Sequence, residues 1–110
     1  MSDDWIKVCK TSDIEPEDVI RFDQGDGTYA IYRTADGKFY ATDGMCTHQK
    51  VHLAGGFVMD NLIECPKHNG RFDFMTGKAK GAPVCVDLKT YPTKVEDSEV
   101  FIQIARNISR

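Results

Sequence analysis

No stretch of this chain approaches the roughly 18 consecutive apolar residues that a membrane span needs. Its opening, Met1-Ser2-Asp3-Asp4-Trp5, holds neither a basic segment nor an apolar run, so no secretory signal is expected. The expectation is a cytoplasmic protein with no membrane partner. Positive charge is not in surplus: 14 Lys and Arg stand against 17 Asp and Glu, a net charge of -3. Nucleic-acid binding needs a basic footprint, so none is expected. Repeats, low-complexity tracts and any linker long enough to divide the chain are missing. That leaves a single domain over residues 1–110, a size at which a staple adds usefully to a modest core. No segment keeps a helical period. No Gly-x-Gly-x-x-Gly follows a strand and opens a helix, so nothing resembles a nucleotide loop.

What is present reads mostly as strand. Residues 5–9 alternate, residues 19–22 resume a strand, and residues 28–33 are rich in β-formers. Asp36-Gly37 then joins residues 28–33 to Phe39-Tyr40-Ala41 as a hairpin. Residues 62–65, 71–74, 93–95 and 100–104 are further candidates, with an acidic turn at Glu96-Asp97-Ser98. Many short strands separated by regular turn signals predict an all-β sandwich or barrel.

Charge is unevenly spread. Residues 1–45 carry ten acids and five bases, residues 46–85 three acids and five bases, and residues 86–110 four of each. The middle segment is mildly basic, which would suit an acidic rim on a partner.

Four cysteines invite a disulfide reading, but in a reducing compartment cysteines more often bind metal. Cys9 and Cys85 stand alone in apolar contexts and read as small buried hydrophobes. The other two belong to pairs, Cys46-Thr47-His48 and Cys65-Pro66-Lys67-His68, with sixteen residues between His48 and Cys65. Each pair offers one thiolate and one imidazole, and strands on both sides could hold such loops rigidly. Two cysteines and two histidines are the set that a Rieske [2Fe–2S] centre requires, because two histidines replace two cysteines on one of its irons. Zinc takes the same four donors in a tetrahedron, although its common signature begins with two cysteines in one loop. His52 is the third histidine, and the glycines around it argue against a helical i,i+4 pair with His48. A supporting or surface role is expected for it rather than ligation. Gly55-Gly56 and Gly70 allow tight backbone near sulfur.

On these motifs the chain resembles the Rieske-type ferredoxins of bacterial multicomponent ring-hydroxylating dioxygenases and related oxygenase or demethylase systems. The likeness runs nearly end to end. It includes Phe39-Tyr40-Ala41-Thr42, Leu53-Ala54-Gly55-Gly56, Ile63-Glu64-Cys65-Pro66, Gly70-Arg71-Phe72-Asp73, Thr76-Gly77 and Thr90-Tyr91-Pro92. The resemblance implies an antiparallel β-sandwich base with a small cluster-binding lobe inserted over residues 46–76. It implies that Cys46 and Cys65 bind an inner iron and that His48 and His68 bind an outer one. It also implies that a loop containing Pro83 shields the cluster. The function implied is one-electron transfer from a flavin-dependent NAD(P)H ferredoxin reductase to a terminal non-heme iron oxygenase. The protein would be a monomer with no chemistry of its own on a substrate.

The departures are informative too. Respiratory-type Rieske proteins carry an extra cysteine in each loop, where this chain has Val51 and Lys67, so no disulfide should brace the cluster. A serine and a tyrosine that donate to sulfur in that class are replaced by Gly70 and Phe72. Fewer donors imply a potential near the low end of the roughly -150 to +300 mV spanned by such centres. A terminal oxygenase would need a further domain with its own mononuclear iron. Outside the two pairs only His52 remains. The alternative reading is a zinc-stabilised or cluster-free binding module, such as a nitrite-reductase small-subunit-like protein.

Overall fold

The computed structural model describes residues 5–47, 50–67, 70–81 and 86–104. Among these described residues eleven strands follow in chain order: β1 (Trp5–Lys10), β2 (Asp18–Gln24), β3 (Gly27–Arg33), β4 (Phe39–Asp43), β5 (Phe57–Met59), β6 (Leu62–Glu64), β7 (Arg71–Asp73), β8 (Ala79–Gly81), β9 (Thr90–Tyr91), β10 (Thr93–Glu96) and β11 (Glu99–Gln103). They form three sheets, ordered β1-β11-β10, β2-β3-β4-β9 and β5-β6-β7-β8. All pairings are antiparallel. Among the described residues, helix is confined to two single turns of 3-10 type, Thr11–Asp13 and Leu53–Gly55. The all-β expectation therefore holds. No helix among the described residues is long and apolar enough to cross a membrane.

The β2-β3-β4-β9 sheet is the middle layer, and β3 shows why. Tyr29, Ala30, Ile31 and Tyr32 are all buried, although successive side chains of a strand point to opposite faces. Tyr29 and Ile31 pack with Ile14, Phe39, Ala41, Val100 and Ile102 against the β1-β11-β10 sheet. Ala30 and Tyr32 face the other way and pack with Leu53, Ile63, Phe72, Phe74 and Leu88, beside Cys46 and Cys65. An antiparallel strand with one wet face would alternate apolar and polar. This one is covered on both sides, which accounts for its unbroken β-former run.

Tyr32 is the principal join between the middle sheet and the third. Its ring stacks on Phe74, with centroids 4.4 Å apart and planes 2° from parallel. Its hydroxyl lies 2.8 Å from Thr42 Oγ1, and Thr42 Oγ1 donates to the Asp43 carbonyl at 2.7 Å. Tyr32 therefore donates to Thr42, and both buried hydroxyls are satisfied. Desolvation holds the Tyr32 phenol protonated, above its usual range.

Turn chemistry sets the registers. Gly25 opens the two-residue β2–β3 turn at φ +60°, the position where a type II′ turn wants glycine. Asp97 and Ser98 both take positive φ between β10 and β11. The expected Asp36-Gly37 hairpin forms at the bounds that the sequence predicts, with Arg33 paired to Phe39. Residues 34–38 form the loop, closed by Thr34 N–H to the Lys38 carbonyl at 2.8 Å and Lys38 N–H to Thr34 Oγ1 at 2.9 Å. The Thr34 side chain supplies a partner that a two-residue turn would not need.

Candidate metal centre

Two loops project from this scaffold, each closed by its own backbone. The first leaves β4 at Gly44. Gly44 N–H donates to the Thr28 carbonyl at 2.9 Å, Leu53 N–H to the Gly44 carbonyl at 2.7 Å, and Cys46 N–H to the Val51 carbonyl at 3.0 Å. Met45 and His52 bridge the two limbs. Only glycine fits at position 44, because a Cβ there would stand 2.3 Å from His52 Nε2 and 3.0 Å from the Tyr29 nitrogen. The second loop connects β6 to β7 and is closed by Cys65 N–H to the Gly70 carbonyl at 2.7 Å. A Cβ on Gly56 would lie 2.1 Å from the Glu64 carbonyl oxygen. The turn after Leu53 therefore rests its bare backbone on the strand that delivers Cys65.

A third segment is tied to the first loop. Thr47 Oγ1 donates to the Val86 carbonyl at 2.7 Å. Leu88 N–H donates to the Gly77 carbonyl at 2.7 Å.

These constraints bring Cys46 and Cys65 together in one core beneath the loops, 6% and 2% exposed. Burial pushes the Cys65 thiol above its usual range; the Lys67 backbone N–H pulls the other way, and the neighbouring Cys46 adds to the rise. Two thiolates side by side in an apolar site would repel and lack solvent, so such a site suits a bound cation. Iron or zinc supplies that cation, and metal binding then releases the protons. The donor chemistry therefore fits a thiolate-bound metal centre. Beside Cys65 lies a shallow cleft of about 260 Å³ lined by Gly55, Gly56, Phe57, Glu64, Cys65 and Pro66. Phe57 is 67% exposed there. Arg71 Nε pairs with Glu64 Oε1 at 3.5 Å, an exposed pair of little stabilising weight.

His48 and His68 lie outside the described residues, as do Asn69, Pro83 and Cys85. Among the described residues no group of three His, Cys, Asp or Glu side chains gathers as a metal site. His52 stands apart from the cysteines: its Nδ1 accepts from Ala54 N–H at 3.0 Å, and its Nε2 lies 2.9 Å from Thr28 Oγ1. Cys9 is half-buried against the base core. Burial, with Asp13 nearby, pushes its thiol to about 11, which keeps it unreactive. Two contacts gave no signal in the sequence. The partner of Thr47 is 39 residues downstream and that of His52 is 24 residues upstream.

Comparison with known proteins places the chain. The Rieske [2Fe-2S] domain family matches residues 4–92. The ferredoxin component of the naphthalene 1,2-dioxygenase system of Pseudomonas putida is 42% identical over 92% of this chain and 96% of its own length. The ferredoxin component of the naphthalene 1,2-dioxygenase/salicylate 5-hydroxylase systems of a Ralstonia species is 39% identical over 94% and 99%. A chain in the solved complex of reduced oxygenase and oxidized ferredoxin in carbazole 1,9a-dioxygenase superposes with a TM-score of 0.86 at 36% identity, covering 93% of this chain and 94% of that one. With a matching domain over residues 4–92 and a thiol pair suited to iron, this chain belongs to the Rieske [2Fe–2S] family, among the ferredoxin components of bacterial ring-hydroxylating dioxygenase systems.

Proposed function

We propose that Cys46, His48, Cys65 and His68 hold one [2Fe–2S] cluster, and that the protein carries single electrons from a ferredoxin reductase to a terminal oxygenase. The observation that carries this reading is the pair of buried thiols of Cys46 and Cys65 in one core, each on a loop closed by its own backbone. A histidine follows two and three positions later. When bound, the cluster supplies one-electron redox chemistry, with the imidazole-bound iron the easier to reduce. The chain's own residues do the rest. The two cysteines anchor from within the core, in the lobe over residues 46–76 whose sheet is closed by β8, and His48 and His68 complete the proposed ligand set. Phe72, fully buried, and Gly70 offer the sulfurs no hydroxyl, which favours a low potential. Lys67 and Arg71 are exposed on the second loop and suit an acidic docking rim. The protein performs no reaction on a substrate, and it works as a cytoplasmic monomer in brief encounters.

Electron paramagnetic resonance of anaerobically purified, dithionite-reduced protein tests this. A rhombic signal with an average g below that of all-cysteine [2Fe–2S] centres is the expected result. Colourless protein with full zinc and no iron would replace the reading with a zinc-stabilised module.

A further inference from the structure

His52 is absorbed by neither the thiol pair nor the fold's apolar cores, yet three of its neighbours are built around it. A backbone N–H can only donate, so the 3.0 Å contact from Ala54 N–H fixes a lone pair on Nδ1. The ring proton then sits on Nε2, which donates to Thr28 Oγ1 at 2.9 Å. Thr28 Oγ1 in turn donates to Asp23 Oδ1 at 2.5 Å, and Arg21 Nε donates to the same oxygen at 3.1 Å. Every donor meets an acceptor along this chain only if the imidazole is neutral and carries its proton on Nε2. The ring also fills the space that the missing Cβ of Gly44 leaves.

We propose that His52 is a positioning residue for the cluster: a clamp that fastens the first ligand loop to the β2–β3 hairpin and so holds Cys46 at the fixed place the cluster needs. One ring nitrogen caps the Leu53–Gly55 turn, and the other grips the hairpin. The two limbs of the loop meet between them, through the Met45–His52 bridge and the Cys46 N–H bond to Val51. The inference rests on the cluster reading above for its consequence, but the clamp itself is defined by residues of the loop and the hairpin.

A clamp of this kind is sensitive to acid. A second ring proton would face the Ala54 N–H, donor against donor. Burial and the Arg21 guanidinium both disfavour the imidazolium, and the Asp23 carboxylate favours it less strongly; the net effect holds the His52 ring below its ordinary range. The unfolded chain protonates this ring at about pH 6.5. The contribution is thus complete above that value and is lost as pH falls through it toward the lower folded value.

The test uses the cluster-loaded full chain and three variants: His52→Ala, His52→Asn and Thr28→Val. Asparagine restores an acceptor for the Ala54 N–H without an ionisable ring. The readouts are the rate of cluster loss in mild denaturant, followed by visible absorbance from about pH 5 to about 7.5, and the 15N spectrum of labelled histidine. Wild type should show His52 as the neutral, Nε2-protonated ring near neutral pH. His52→Ala and Thr28→Val should lose the cluster about threefold faster or more, which is the scale of a lost cap or side-chain bond. His52→Asn should recover much of the His52→Ala loss and flatten the acid limb. Unchanged loss rates in both His52→Ala and Thr28→Val, or a ring protonated on Nδ1, would overturn the clamp. If His52→Ala does not fold, Thr28→Val decides. If wild type carries no iron, the cluster reading fails instead, and the tautomer together with amide exchange at Leu53 and Gly56 still decides the clamp.

Discussion

The base and the ligand lobe of this molecule are held in different ways. The base has the longer strands: β2 and β3 pair over seven unbroken positions, and β11 pairs on both edges, with β10 and, through one register shift between Lys7 and Cys9, with β1. Its order is written in backbone ladders and a core between two sheets. In the lobe every strand is three residues long, too short to stand alone. Its order comes from packing on the middle sheet through Tyr32 and Phe74. Contacts that only glycine permits, at Gly44, Gly56 and Gly77, add to it, and so does the expected metal centre. The lesson is that the base draws its order mainly from its own ladders, whereas the lobe draws it from the middle sheet whose second face it covers.

The sharpest way to break this contrast is to remove a thiolate. Cys46→Ser or Cys65→Ser should abolish or severely reduce iron and sulfide and loosen the lobe, while amides of β2, β3 and β11 keep their exchange protection. Normal iron content and folding in either variant would reject the ligand assignment. Next is Tyr32→Ala, which opens a cavity under both layers and should cost about 3–5 kcal/mol by chemical denaturation. Tyr32→Phe should cost only about 1 kcal/mol, the net worth of its bond to Thr42. Loss confined to the lobe in Tyr32→Ala would show that the two regions unfold separately.

Gly56→Ala drives a methyl group into the Glu64 carbonyl, so backbone must shift. A destabilisation of about 1–3 kcal/mol is expected, with faster cluster release than in Gly25→Ala. A Cβ at Gly25 meets nothing within 4 Å, and strain there comes from φ alone. Equal effects on cluster retention would deny the lobe its dependence on that contact. The smallest effect on stability should come from Lys67→Glu or Arg71→Glu, within about 0.5 kcal/mol as for most surface changes. The same variants should slow transfer to an oxygenase more than they move the potential, and most strongly at low salt. Transfer kinetics that stay constant across ionic strength would remove these side chains from docking.

Legibility did not follow element length alone: β6 and β7, three residues each, are read as strands within residues 62–65 and 71–74. The strands of β2, β3, β4 and β11 span five residues or more, enough for alternation or β-former content to register. β5, β8 and β9, of two or three residues, carried no such pattern, because their partners rather than their own side chains make them strands. The loop of residues 34–38 is legible both in its Asp36-Gly37 turn and in the β-formers that bound it at Arg33 and Phe39. His52 was set apart from the ligands by its surroundings, yet nothing local pointed to Thr28.

The sequence by itself determined which residues are the candidate donors: two Cys and His pairs stand at a spacing that is local along the chain, where residue order is geometry. It also determined the all-β class, through the period of its longer strands. Only the tertiary structure decided that the middle sheet is buried on both faces, that Cys46 and Cys65 meet in one apolar site, and that His52 grips the β2–β3 hairpin rather than facing the metal. Those outcomes depend on which distant segments come to lie against one another. That choice is made by packing over the whole chain and leaves no mark on any single stretch of it.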